Sequence, residues 1–427
     1  MVRGQRESCS FCHTDMNLSP VVLAIPMYFT LMGVELVAEA LTKKHTYRLN
    51  DAVTNISAGV LQQLTGTFLQ LLRIGVYVLV YEKWALWHIP PTWLSFAVVF
   101  VLWDFCYYWE HRVAHRVSLF WGGHSVHHQS EEYNLSVALR QSSTSVLWGF
   151  PFFLPLAFLG FDPLQFALVG GLNLLYQFWI HTEHIRRLPG WFEWVFNTPS
   201  HHRVHHARDP EYLDKNYGGV FIVFDRMFGS FKEEVQTPHY GVTKPLQSWN
   251  PVYANVAHYV DLMHYVKKAR SARDGLRILF NPPGWLPDYL GGFQTPAKVG
   301  EGYRKYDARP AALPMQVYIL VQFVASLLVN AFYFFNSRDF SDWPKIGFAF
   351  WIVATSVMFG WLLEKRSAWL PLLEGVRLLS LPLGVFLLEG QGLVLPAGAF
   401  PAAVVFAVLS LPAFYFARHS LKAAFQN

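Results

Sequence analysis

Charge is scarce in this chain of 427 residues. Asp, Glu, Lys and Arg together supply 15% of it, against ~25% in an ordinary soluble domain. That scarcity, beside a hydrophobic content of 53%, excludes a disordered chain and a coiled coil. Cysteine is nearly missing as well. Three residues are too few, and odd in number, for the disulfide framework of a small secreted scaffold. The net charge of +5 comes with no long Lys/Arg tract, so no nucleic-acid partner is expected. H-E-x-x-H, the zinc hydrolase signature, is absent. So is G-x-S-x-G, which leaves Ser-His-Asp chemistry without support.

What the chain has instead is long apolar runs. Residues 20–41, 56–81, 92–110, 144–161, 163–181, 313–335, 346–363, 367–388 and 393–417 approach the ~20 residues that cross a bilayer as a helix. The fourth and fifth are parted by the Gly160–Pro163 turn and read either as two spans or as a shallow hairpin. The expected fold is all-α: a polytopic membrane helical bundle with a histidine-rich helical cap. Composition divides it into N-terminal membrane helices (1–90), a catalytic region (91–310) and C-terminal membrane helices (311–427). Within the polar stretch 182–312, basic and apolar residues alternate near Val256–Leu279, the pattern of a helix lying on a bilayer surface. Lys43, Lys44, Arg48, Arg112, Arg116, Arg140, Lys365, Arg366, Arg418 and Lys422 fall on one side if the N-terminus is outside. The positive-inside rule makes that side cytoplasmic, in a bacterial inner membrane or the endoplasmic reticulum.

Histidine is in excess: eleven of 18 lie between His111 and His206. His111 and His115 are four apart. His124, His127 and His128 repeat as H-x-x-H-H, and so do His202, His205 and His206. Offsets of three and four put side chains on one helical face. His181 ends the fifth apolar stretch at the same membrane side. Imidazole is the commonest metal ligand, one catalytic ion takes about three protein ligands, and nine rings therefore suggest two metals. A metal transporter is the rival class, but transport sites lie near the bilayer midplane, whereas these histidines sit at the ends of spans. Asp104, seven residues before His111, is read as a carboxylate orienting a ligand imidazole. Glu35 and Glu39 share a face of the first span. Cys9-x-x-Cys12-His13 has the form of a c-type haem attachment site. No compact haem domain adjoins it, so a haem there is not expected, and a chance match or a reactive cysteine pair is the simpler reading.

H-x-x-x-H, H-x-x-H-H and H-x-x-H-H, in that order between apolar spans, resemble the fatty acid hydroxylase / sterol desaturase superfamily of membrane di-iron oxygenases. DFCYYWEHRVAH (104–115), HSVHHQSEEYNLSVALRQS (124–142), LYQFWIHTEHI (175–185), NTPSHHRVHH (197–206), DKNYGG (214–219) and FDRMFGSF (224–231) are most similar to its alkylglycerol monooxygenase branch. The resemblance implies an O2-dependent monooxygenase with two iron ions held by His111, His115, His124, His127, His128, His202, His205 and His206, with His181 as a further ligand. It implies a lipid substrate drawn from the bilayer: an ether lipid hydroxylated beside its ether oxygen and collapsing to a fatty aldehyde and a glycerol derivative. A sterol or fatty acid hydroxylase or desaturase is the alternative within the superfamily. Tetrahydrobiopterin is the implied electron donor, and Asn216 and Tyr217 in DKNYGG are the residues expected to touch cofactor or substrate. One position departs from the branch: Arg116 stands where an acidic residue usually follows the second histidine, which leaves a redox protein as the alternative donor.

Overall fold

The computed structural model describes residues 24–423, apart from 301–302, 307–310, 338, 365–367 and 394. Cys9, Cys12 and His13 lie outside the described residues. Among those described there are helices and two isolated bridges, but no strand. In chain order the helices are α1 (Ile25–Thr42), α2 (Leu49–Trp84), α3 (Trp93–Arg116), α4 (Ser118–His128), α5 (Leu135–Ala138), α6 (Val146–Gly149), α7 (Leu154–Leu159), α8 (Pro163–Trp179), α9 (Gly190–Val195), α10 (Pro199–His205), α11 (Val223–Met227), α12 (Pro251–Lys267), α13 (Ala272–Phe280), α14 (Leu313–Asn336), α15 (Asp342–Glu364), α16 (Leu370–Gly390) and α17 (Ala399–Ala423).

Five of these, α1 and α14 to α17, are long and apolar enough to cross a membrane, and α2, bent by 41° near residue 70, makes a sixth if its two pieces count as one span. That is fewer than the apolar runs suggested, for two physical reasons. α3 has the length, 24 residues, but Asp104, Glu110, Arg112 and Arg116 make its second half too polar. The stretch 144–161 is broken into α6, a 3-10 turn and α7, and α8 has only 17 residues. Both pieces fall short of ~20 residues, and the chain turns between them at Gly160–Pro163. Its tip is fixed chemically. Gly160 takes φ +90°, where a Cβ would lie 1.7 Å from the Trp87 carbonyl oxygen, and the Asp162 carboxylate then caps α8 through the N–H groups of Leu164 (2.8 Å) and Gln165 (3.1 Å).

The C-terminal helices pack on α2 through Val53, Tyr318, Ile319, Phe323, Phe359 and Phe414. Between them lies a buried polar knot. The Arg377 guanidinium donates to both Glu374 oxygens (2.6 and 2.8 Å) and to Gln322 Oε1 (2.7 Å). Tyr318 also donates to Glu374, Gln322 donates to Ser410 Oγ at 2.7 Å, and the Phe359 ring lies 5.5 Å beneath the guanidinium. Four helix sites are joined because each charge has no alternative to its partners. Removing one partner of such a pair costs about 3–5 kcal/mol, whereas removing both costs far less. Arg377→Met is therefore expected to lower the thermal unfolding temperature in detergent sharply. Glu374→Leu combined with Arg377→Met should recover most of the loss.

Candidate metal centre

α3 ends at Arg116, and a single extended residue, Val117, turns the chain into α4. This corner brings His111 and His115 against His124 and His128. Pro199 starts α10 at its first turn, and α10 lays His202, His205 and His206 across them. His181 follows the last turn of α8. The nine rings fall into two abutting groups: His111, His115, His124, His128 and His205 in one, and His127, His181, His202 and His206 in the other. Within each group one nitrogen per ring lies within 4.8 Å of all the rest. His128 and His206 join the groups, with ring centroids 4.4 Å apart. His184 belongs to neither.

The sorting follows helix geometry. In each H-x-x-H-H triplet the residues at offsets zero and four lie ~40° apart, and the residue at offset three lies ~60° to the other side of the first and ~100° from the last. His124 and His128 thus face one group and His127 the other. In α10, His202 and His206 face the second group and His205 the first. One face per triplet was too coarse an expectation.

Backbone carbonyls fix the rings. Nδ1 of His111 bonds the Tyr217 carbonyl (2.7 Å), that of His127 the Arg140 carbonyl (3.0 Å), that of His181 the Gln177 carbonyl (2.8 Å) and that of His205 the Lys215 carbonyl (2.9 Å). A carbonyl only accepts, so each Nδ1 carries the proton and each Nε2 lone pair faces inward. His115 Nδ1 lies 3.7 Å from Asp214, which pairs with Arg116 at 3.0 Å.

The inward nitrogens crowd one another. Nε2 of His111 and His124 are 2.8 Å apart, those of His181 and His202 3.0 Å, and those of His127 and His181 3.2 Å. Nε2 of His115, His205 and His206 are buried with no hydrogen-bond partner. Burial, reinforced by neighbouring rings, holds His124, His128, His202, His205 and His206 far below the usual imidazole range. Burial lowers His127 to about 4. Neutral imidazoles with converging, unpartnered lone pairs are a donor set that a cation satisfies, and nitrogen ligands suit iron.

Asp104 does not do what its spacing suggested. Its carboxylate reaches no imidazole. It accepts the N–H groups of Val220 and Phe221 (both 2.8 Å) and Asn173 Nδ2 (2.6 Å). It thereby holds the loop whose Tyr217 carbonyl orients His111. Gly219 permits the approach, since a Cβ there would sit 2.6 Å from Asp104 Oδ1. Asn216 is likewise internal: it bonds the His201 and Lys232 carbonyls and the Lys232 N–H. The Tyr217 ring packs edge-on to His111, His115 and His205.

The partners of the other supports carried no sequence signal, because a carbonyl or a distant contact leaves no motif. Tyr133 stacks on His181 and meets His206 edge-on. Arg140 is buried and donates to the Val126 carbonyl (2.6 Å) and Asn55 (3.1 Å). Glu35 of α1 accepts from Thr182 (2.5 Å), next to His181, and from the Leu135 N–H (2.8 Å). Arg203 ties the carbonyls of Thr182, Ile185 and Arg186 to Glu234.

Asp225 accepts from Tyr217 N (2.8 Å), Gly218 N (2.7 Å) and Ser230 Oγ (2.7 Å). Burial pushes its carboxyl from 3.8 up to about 6, and those bonds offset only part of the rise. A raised acid favours the native state most when protonated. Its contribution, about 3 kcal/mol at 1.36 kcal/mol per pH unit, is full below about pH 3.8 and lost as pH rises through about 6. Asp225→Asn is expected to flatten this part of the pH dependence of thermal unfolding.

A small cleft lined by Glu110, Ala114, Phe120, Ser145, Trp148 and Phe152 has His124 in its wall. A histidine-only, two-group centre in a chain with several helices able to cross a membrane defines a class, and the comparisons agree with it. The fatty acid hydroxylase model matches residues 96–230, and the chain belongs to that family as a membrane lipid monooxygenase. It stands with the alkylglycerol monooxygenases. It is 37% identical to the Homo sapiens enzyme of that name over 80% of this chain and 77% of that one. It is 35% identical to the Xenopus tropicalis enzyme over 82% and 79%, and 34% identical to the Danio rerio enzyme over 92% and 88%. No solved structure matches.

Proposed function

We propose that the protein is a di-iron monooxygenase that cleaves alkylglycerol ether lipids to a fatty aldehyde and a glycerol derivative. The observation that carries the reading is the division of nine buried imidazoles into two adjoining groups, joined to similarity along most of the chain. His111, His115, His124, His128 and His205 would hold one iron, and His127, His181, His202 and His206 the other. The irons would supply O2 activation for attack on an unactivated C–H bond.

The chain's own residues do the rest. Four backbone carbonyls hold imidazole tautomers. Tyr133 and Tyr217, both buried against the rings, keep water from them. The small cleft lined by Phe120, Trp148, Phe152, Glu110 and Ser145 borders His124 and is where a lipid would approach the rings once it widens. Residues 91–310 form the catalytic region between membrane helices at 1–90 and 311–427.

Orientation is proposed to be cytoplasmic. Lys44 donates to the Glu183 carbonyl (2.8 Å) and Arg48 to the Tyr306 carbonyl (2.8 Å). The basic loop after α1 therefore lies at the histidine end of the molecule, the end that the positive-inside rule assigns to the cytoplasm. Tetrahydrobiopterin is the proposed electron donor. Arg116, exposed and paired with Asp214, favours a redox protein as the second reading, and turnover with each donor alone separates them.

Lipid profiling by mass spectrometry of cells with and without the gene tests the substrate. Ether lipids are expected to accumulate intact when the gene is lost. Unchanged ether lipids with altered sterols or acyl chains would assign the chain another lipid.

A further inference from the structure

α12 and α13 form a hairpin with two unlike faces. The inner face packs Leu262, Ile278 and Leu286 together, with Leu119 of α4 against them. The outer face is apolar yet uncovered: Val260 is 59% exposed, Leu276 56% and Phe280 53%, with Met263 and Phe293 beside them. Exposed cations rim it. Lys267, Lys268 and Arg273 make no ion pair among the described residues. Arg277 lies over Trp285 and 3.9 Å from Asp274, and Arg270 lies over Tyr289. On α13, Arg273, Leu276, Arg277 and Phe280 fall at i, i+3, i+4 and i+7, one stripe of the helix.

Two contacts fix where this face sits. The residues entering α12 are pinned to the end of a span: Glu364, the last residue of α15, accepts Ser248 Oγ at 2.6 Å and Trp249 N at 2.5 Å. Gly360 of the same span has no Cβ, which would lie 2.8 Å from the Trp249 carbonyl oxygen. The hairpin thus begins where α15 leaves the bilayer. At the other side, the Tyr259 hydroxyl accepts Trp148 Nε1 at 3.2 Å and meets Thr144 Oγ1 at 3.1 Å, which braces one wall of the cleft to His124.

We propose that the outer face of α12 and α13 is an anionic-lipid-binding surface lying in the headgroup layer. Val260, Met263, Leu276 and Phe280 enter the acyl boundary, and Lys267, Lys268 and Arg273 meet lipid phosphates. A helix with basic residues rimming an apolar face binds a bilayer in this way, and cations near an anionic surface add to it. An isolated soluble protein has no use for such a patch. The seat also sets the cleft, through Tyr259, at the level from which a lipid leaves the bilayer. The surface stands on the membrane reading alone and holds whichever lipid is oxidised.

The test uses the full chain, with Cys9, Cys12 and Cys106 replaced by Ser, in phosphatidylcholine vesicles containing one third phosphatidylglycerol. A nitroxide is placed at Leu276→Cys, and a second protein carries it at Glu233→Cys, an exposed position outside the hairpin that pairs with Arg187. At Leu276, collisions with O2 are expected to exceed those with a water-soluble nickel chelate, and the reverse is expected at Glu233. Nickel access at Leu276 equal to that at Glu233 overturns the proposal, and so does spin–spin broadening between two copies of the chain. Independently, Lys267→Gln, Lys268→Gln and Arg273→Gln together should lower the preference of the purified chain for phosphatidylglycerol over phosphatidylcholine by at least about tenfold, each cation being worth about fivefold. An unchanged preference overturns the assignment of those three residues.

Discussion

His205→Ala and His127→Ala, made separately, are each expected to reduce turnover by at least about 10²-fold. That is the upper end of the loss seen when a residue merely orients a metal ligand. The two substitutions strike different groups. His205 comes from the third motif but faces the rings of the first, and His127 comes from the second motif but faces His181, His202 and His206. Each variant should therefore lose one metal and keep most of the other. Membrane insertion and helix content should survive, because the rings sit at the ends of helices and not between spans. Iron content per chain reads the split directly. Normal turnover in both variants would refute the ligand assignment, and loss of both metals from either would refute the division into two groups.

Asp104→Ala is expected to be the most damaging change away from the rings. Its carboxylate serves three buried donors. Each is left unpaired by the substitution, at about 1–3 kcal/mol apiece, for a total on the order of 5 kcal/mol. The loop it releases carries the Tyr217 carbonyl, so His111 should lose its fixed tautomer and the five-histidine group should weaken with it. The readouts are thermal unfolding, iron content and turnover. All three are expected to fall, and Asp104→Asn should lie between, because it keeps the shape but turns one acceptor into a donor. Full stability with activity alone lost would mean that the carboxylate acts on the reaction and not on the loop.

The two residues mark how far this sequence can be read. The nine histidines were visible as a set because ligand spacing on a helix is a local pattern and the rings needed a common explanation. Their allotment to two groups follows from the ~100° turn per residue once α4 and α10 cross. Which triplet contributes to which group depends on that crossing, and no spacing encodes it. Asp104 was conspicuous as an acid in an apolar run, but two of its three partners are backbone N–H groups more than a hundred residues on, which have no side-chain signature, and the third is Asn173 on another helix. Glu35 stood out as an acid in the first span and Arg140 as one of the one-sided cations, but their partners near the rings, and the role of Arg203, were hidden for the same reason.

Hydropathy found the spans at both ends of the chain and overcounted in the middle. There α3 mixes apolar and charged faces, and the 144–181 region folds back at Gly160. The polar knot around Glu374 and Arg377 joins residues that look unremarkable one by one.

The central claim is that two irons, held only by imidazoles, oxidise an ether lipid. Elemental analysis of the chain purified without added metal, run alongside turnover of an alkylglycerol, tests it most directly. About two irons per chain are expected, with fatty aldehyde formed in proportion to iron content and none after the iron is removed. A metal-free chain that still forms the aldehyde would contradict it.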